Sequence, residues 1–316
     1  LSDYVQTHSV LTSFNSSNSW SILSDIEVSI KNKVESIGAP LKEWNIQINY
    51  GVKTGFNEAF IVDTQKRNEI LDNCQSEDER SKTSEIIRPI LRGRDIKRYG
   101  YNWAGLYLIW IPWHFPLHLD SSIQGVSEKA EIAFKLQYPS VYQHLLQYKD
   151  KLSARNKAET GIRYEWYALQ RWGANYWDLL SQPKIVWGEI SDKSKFCIDT
   201  LGEFTPEATT FMLSGDNLFY LLAFLNCSIS EYLFSTIGTT TGVGTVRWKK
   251  YKILELPIPE YDASELQIDL INTCKNAVET REETPVYEKR INSIIYQIYG
   301  LTEEEIEYVE MFIHGK

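Results

Sequence analysis

The stretch INYGVKTGFNEAFIVD, residues 48–63, decides how the chain is read. Leading into it, WNIQINYGV alternates Ile46, Ile48, Tyr50 and Val52, the two-residue period of a half-buried strand. Lys53, Thr54, Gly55, Phe56 and Asn57 interrupt that period, and AFIV resumes an apolar run. The expectation is a strand, turn, strand unit, with Gly55 setting the turn and Phe56 anchoring it in the core. A phosphate-binding Walker loop needs G-x-x-x-x-G-K-[ST]; here the order is K-T-G, and only Gly51 lies upstream near that spacing.

Outward from this unit the chain shows an ordered plan. Ser24-Asp25-Ile26-Glu27 is a capping box, and Leu23, Ile26, Ile30, Val34 and Ile37 repeat at helical spacing until Gly38 and Pro40. Residues 64–85 are polar and acidic, and read as a short helix with a surface loop. LYLIWIPW (106–113) reads as a buried strand. Residues 126–155 form a helical excursion broken by Pro139, with Leu145, Leu146 and Tyr148 expected to face inward. PKIVWGEIS (183–191) and KFCIDTLGEF (195–204) are two further strands. TTFMLSGDN is a strand and turn, and the helix after it turns Leu221, Leu222, Phe224, Leu225 and Ile229 inward. LELPIPEY makes a Pro-punctuated exit, and two acidic amphipathic helices finish the chain, the last with a capping box from Thr302 to Glu305. Grouped strands with inserted and appended helices point to an α+β fold rather than alternating βαβ units.

The 316 residues are 43% hydrophobic, enough to bury a core in one large or two smaller domains. The longest apolar stretch, AGLYLIWIPW, is about half of what a bilayer needs. With four scattered cysteines in neither metal nor disulfide spacing, the expectation is a soluble cytoplasmic protein with free thiols and no membrane partner. Leu1 in place of Met raises the expectation that the chain derives from a longer one.

No catalytic motif stands out. G-x-G-x-x-G and G-x-S-x-G are absent. His114 and His118 stand four apart, but Pro116 between them breaks the helix that would aim both at one metal, and a surface loop is expected there. No catalytic, cofactor-binding or metal residue is assigned.

The formal charge of −9 is unevenly spread. From Glu260 to Lys316 thirteen Asp and Glu stand against five Lys and Arg, a net of −8, leaving −1 for residues 1–259. Within that body Arg92, Arg94, Lys97 and Arg98 cluster around Asp95, and Arg247, Lys249 and Lys250 follow the glycine- and hydroxyl-rich run that holds Thr240 and Thr241. Such patches steer polyanions even when the whole molecule is acidic. Arginine pairs bidentately with guanine, while Lys53, Thr54 and Asn57 offer short polar groups to a backbone or an adenine edge. Each patch has a plainer alternative: solvated faces, a hairpin turn at Gly55, an ion pair between Arg92 and Asp95, a linker at the threonines.

INYGVKTGFNEAFIVD, then EIIRPILRGRDIKRY, PKIVWGEIS, YLLAFLNCSISEYLF and LELPIPE, in that order from about Trp44 to Tyr261, resemble the TaqI-like C-terminal specificity domain. That family supplies target recognition in adenine-specific DNA methyltransferases, notably type IIG restriction-modification enzymes that fuse an endonuclease. The resemblance implies a mixed β-sheet target recognition domain at 44–260, with its helical insertion near 126–155. It implies an N-terminal connector with an amphipathic helix at 1–43 and an acidic helical segment at 261–316. It implies double-stranded DNA as partner, with the acidic helices turned from DNA or packed on the catalytic part. Upstream methyltransferase and nuclease domains would belong to the same polypeptide and take S-adenosylmethionine and Mg2+. The N-P-P-Y and P-D-(D/E)-x-K motifs of such domains are absent here. Rival readings are the specificity region of a solitary or phage-defence adenine methyltransferase, a protein-interaction domain, and a nucleotide-dependent enzyme.

Overall fold

The computed structural model describes residues 23–155, 164–237, 246–280 and 284–315. The described strands are β1 (Gly38–Pro40), β2 (Ile46–Tyr50), β3 (Ile61–Asp63), β4 (Ile87–Leu91), β5 (Leu106–Ile109), β6 (Lys184–Gly188), β7 (Ile190–Ser191), β8 (Phe196–Asp199), β9 (Thr205–Pro206), β10 (Thr210–Gly215), β11 (Val246–Arg247) and β12 (Pro257–Pro259). Helices are interspersed and appended, and the α+β class holds.

The chain folds into two compact units that are discontinuous in sequence. The first gathers Leu1–Trp44, Phe219–Gly238 and Tyr251–Lys316; the second gathers Asn45–Leu218 and Thr239–Lys250. These units cut across the three successive segments read from the sequence, because the apolar helix after β10 packs with the terminal helices. The charge divides with them: the first unit sums to −11, so the second carries +2 of the total −9.

In the first unit the helix Asp25–Ile37 begins at the expected capping box. It buries Ile30 and Val34, whereas Ile37, past the last full turn, is 45% exposed. β1 pairs antiparallel with β12. The helix read from Leu218 breaks at Cys227 into Leu218–Asn226 and Ser228–Ile237, bent by 61°. Asn292 holds the break, accepting from Ser228 N at 3.0 Å and donating to Ser228 Oγ at 2.8 Å. Three helices follow residue 260 rather than two: Glu265–Glu279, Thr284–Tyr299 and Glu303–His314. The added boundary lies between Glu279 and Thr284, and Gly300, at φ +63°, makes the turn into the last helix. No single helix among the described residues is long and apolar enough to cross a membrane.

The second unit holds two four-stranded sheets, β2-β10-β6-β8 and β3-β5-β4-β9, and a two-stranded ribbon, β7-β11. The first is antiparallel, with Trp187 fully buried at its centre and stacked on Phe211 at 5.4 Å. In the second, β4 runs parallel to β9 and antiparallel to β5.

β2 and β3 lie in different sheets, which corrects the strand, turn, strand reading. Val52 and Lys53 make single bridges, to Glu207 and Arg171, and Asn57–Phe60 is a helical turn, so residues 51–57 cross between sheets instead of reversing the chain. The polar stretch 64–85 is two helices, Thr64–Asp72 and Glu77–Ile86. Asp63 caps the first by accepting from Lys66 N at 2.7 Å, and Ser76 caps the second by accepting from Glu79 N at 3.2 Å.

The helical insertion runs over Glu128–Gln137, Pro139–Leu146 and Lys149–Ala154, with Pro139 at the first position of the second helix. Leu145 is buried, but Leu146 is 38% exposed because the next position turns outward. The His114 turn is not a free surface loop. Buried Glu165 accepts from His114 N at 2.7 Å and Ser127 N at 3.0 Å and meets His114 Nδ1 at 2.9 Å, tying the turn to the insertion.

Candidate nucleic-acid interface

The cationic loops of the second unit converge on one short segment, Thr205–Thr210. Val52 N donates to Pro206 O at 2.8 Å and Gly51 N to Thr210 O at 2.9 Å, bringing in the K-T-G loop. Glu207 N donates to Leu91 O at 2.9 Å, bringing in the Arg92 to Arg98 loop. Glu189 N donates to Thr209 O at 3.0 Å, and Trp248 N to Glu189 O at 2.7 Å, which brings in β7 and the start of the Arg247 to Lys250 run. Main-chain bonds carry the convergence, so its geometry survives side-chain variation at the loop tips.

Two close approaches hold it together. A Cβ on Gly51 would lie 2.0 Å from Glu207 O, so only glycine fits. Gly93 and Gly188 face each other, with an added Cβ on Gly188 only 3.3 Å from Gly93 Cα. Beside that contact runs a groove of about 480 Å³, lined by Arg94, Lys97, Glu189, Ile190, Lys195 and Thr209 among others.

The sequence candidates are placed unequally. Lys53 is exposed, and its backbone exchanges two 2.9 Å hydrogen bonds with Arg171. Thr54 is buried, with its hydroxyl donating to Asn57 Oδ1 and accepting from Phe56 N, so it shapes the turn from inside. Asn57 is exposed. Phe56 packs on the core, with Lys151 over its ring at 5.3 Å. Behind the turn Arg155 donates to Thr54 O, Trp166 O and Ala168 O, and burial pushes its guanidinium pKa down to about 10. Gly55 sits at φ +77°, which favours glycine.

Arg92 is committed to Asp95 through Nε to Oδ2 at 2.9 Å and Nη2 to Oδ1 at 2.7 Å. Arg94 and Lys97 are exposed on the groove, and Arg98 is half-buried. Arg247 is half-exposed and pairs with Glu189 at 3.1 Å; Lys249 and Lys250 are half-buried. Thr240 and Thr241 lie outside the described residues.

The sequence reading passed over Arg171, Glu189 and Lys195. Arg171 donates from Nη2 to Gly51 O at 2.9 Å and lies over the Tyr50 ring at 5.3 Å. Its one signal is that it is the sole cation in the aromatic run 164–180. Glu189 could have been found as the charge that follows Gly188 at a strand break. Among the described residues no group of three His, Cys, Asp or Glu side chains is placed to hold a metal.

Residues 88–258, more than half of the chain, match the family described as the TaqI-like C-terminal specificity domain. The Type II methyltransferase M.MjaIV of Methanocaldococcus jannaschii is 22% identical over 239 residues, which cover 73% of this chain and 70% of that protein. The type IIL restriction-modification enzyme MmeI, solved in complex with DNA, shares the fold at TM-score 0.53 and 11% identity over 88% of this chain. The type IIG restriction endonuclease BpuSI aligns at TM-score 0.48 and 13% identity over 87% of this chain. The chain spans 37% and 33% of the lengths of those two solved chains. With its matched segment running from β4 into β12, the chain belongs to the TaqI-like C-terminal specificity domain family.

Proposed function

We propose that this chain is the sequence-specific double-stranded DNA recognition module of an enzyme that methylates adenine and also cleaves DNA. The observation that carries the reading is the convergence of three separate cationic loops on Thr205–Thr210, within the unit of net positive charge. Cations there neutralise phosphates, while arginine and short polar groups read base edges. Lys53, Asn57, Arg94 and Lys97 are the most exposed contacts; Arg98, Arg247, Lys249 and Lys250 are half-exposed members of the same cationic runs, and Thr240 and Thr241 are candidates from the sequence alone. Thr54 and Arg92 contribute by shaping their turns.

Methylation and cleavage are assigned to companion domains that take S-adenosylmethionine and Mg2+, in a cytoplasmic protein. The acidic first unit is the part suited to docking on them, since its −11 charge disfavours a polyanion.

Fluorescence anisotropy of the 316-residue chain with labelled duplex tests the reading. Binding should fall steeply with salt, and Arg94→Ala and Lys97→Ala should each lower the slope of log K against log salt by about 1. Binding that ignores salt, or a slope unmoved by both variants, defeats it.

A further inference from the structure

We infer that Glu189 and Arg247 together read one G·C base pair from the major groove, with the β7-β11 ribbon as the element that enters it. The inference rests on the DNA-recognition reading above and adds which base pair is read and by what.

Three observations carry it. The first is the ribbon. β7 and β11 pair antiparallel, Val246 with Ser191 and Arg247 with Ile190, and form a separate two-stranded sheet. The major groove of B-form DNA is wide enough for such a ribbon. Ile190, on this ribbon, is 53% exposed, an apolar side chain among cations that suits a thymine methyl group better than water.

The second is the sign of the charge. The groove beside the ribbon carries Arg94, Lys97 and Lys195, as a phosphate-binding surface should. Two carboxylates also line it. Asp192 is taken by Lys195 at 2.5 Å, and Glu189 by Arg247 at 3.1 Å. A carboxylate on a phosphate-facing surface repels the ligand; it is an advantage only where the ligand presents an amino group, and in the major groove cytosine N4 is such a donor.

The third is the geometry of the pair. Its side chains are 42% and 33% exposed, and one guanidinium nitrogen of Arg247 meets one oxygen of Glu189. The other nitrogens of the planar fork remain for guanine O6 and N7, and the second Glu189 oxygen remains for cytosine N4. The backbone beneath is fixed: Trp248 N donates to Glu189 O at 2.7 Å, and buried Trp187 Nε1 donates to Trp248 O at 2.9 Å. An acceptor and a bidentate donor side by side on a rigid support complement a G·C pair and no other.

The test is selection of bound duplexes from a library randomised along the site, using the 316-residue chain, its Arg247→Lys variant and its Glu189→Gln variant, with folding checked by near-ultraviolet circular dichroism. Arg247→Lys keeps the charge and loses the fork. The wild type should prefer G·C at one position by about 10- to 100-fold. Both variants should bring that position toward parity and leave the others intact, with the salt slope of Arg247→Lys unchanged. A preference that survives both variants, or an Arg247→Lys loss equal across all sequences, overturns the pairing while DNA recognition stands. Should one variant fail to fold, the other decides by the same criterion. A wild type that binds without salt dependence instead overturns the DNA reading itself, and this inference with it.

Discussion

Arg92 grips Asp95 through Nε and Nη2 of its guanidinium, at 2.9 and 2.7 Å, and Asp95 turns back to accept from Arg92 N at 3.0 Å. Asp95 is buried, so the pair is a clasp that closes the Gly93–Asp95 turn and presents Arg94 and Lys97. Simple electrostatics says that removing a carboxylate near DNA strengthens binding. The clasp says the reverse: Asp95→Asn should weaken duplex binding several-fold. Arg92→Ala, which leaves a buried charge unpaired, should lower stability by about 3 kcal/mol in urea titration. Tighter binding by Asp95→Asn would show that the turn holds without it.

Arg171 joins the candidate interface from a segment whose aromatic content hides it. Held on Tyr50 and on Gly51 O, it is pre-positioned beside Lys53. Arg171→Ala should weaken binding about equally for all duplex sequences and reduce the salt slope by about 1. A sequence-dependent loss would instead make it a base reader.

The approach of Gly51 to Glu207 leaves no room for a methyl group. Gly51→Ala must separate two backbone segments that hydrogen bond to each other, and should cost about 3 kcal/mol or more. Thermal unfolding measures it. Gly300→Ala, a position with nothing within 4 Å but φ +63°, should cost less, about 1 kcal/mol.

Acid should weaken the two units at different pH. In the second unit burial lowers the ring pKa values of His118 and His144. Their neutral forms favour the fold, so the contribution is complete above about 6.5 and is lost as pH falls through that value toward the folded pKa values. In the first unit burial raises the Glu305 pKa, but hydrogen bonds from Lys33, Ser29 and Thr302 outweigh it and bring the carboxyl to about 2. Its contribution is complete above about 4.5 and is lost as pH falls from there toward 2. Eight of the ten tryptophans belong to the second unit, so tryptophan emission should begin to respond as pH falls below about 6.5. Glu305→Gln should alter only the lower step. A single step below pH 4.5 would contradict this division.

What the sequence reveals is local. The capping boxes at Ser24 and Thr302, a strand at 46–50 and the Pro139 break are written in adjacent residues, and the structure keeps them, although Tyr50, expected on the buried face, is 48% exposed. The role of 51–57 is not local. Its alternating flanks look like a hairpin, and only Glu207 and Arg171, more than a hundred residues away, turn it into a crossover. The candidate interface divides the same way. Cation runs flag Arg94 and Lys97, but Thr54 and Arg92 are polar residues whose groups are used inside the protein. Thr205–Thr210, on which the loops converge, has no charge beyond Glu207 and no motif. Hydrogen bonds of main chain to main chain leave little trace in side-chain composition.

The chain passes between its two units four times, after residues 44, 218, 238 and 250. A recombination event that exchanged only 45–218 with a relative would import Glu189 and leave Arg247 behind on native sequence. On the proposed function, the second unit is therefore poorly suited to inheritance as a cassette. On the same reading, new target sequences should arise by point changes at loop tips, chiefly as paired substitutions across β7 and β11, on a main-chain scaffold that tolerates them.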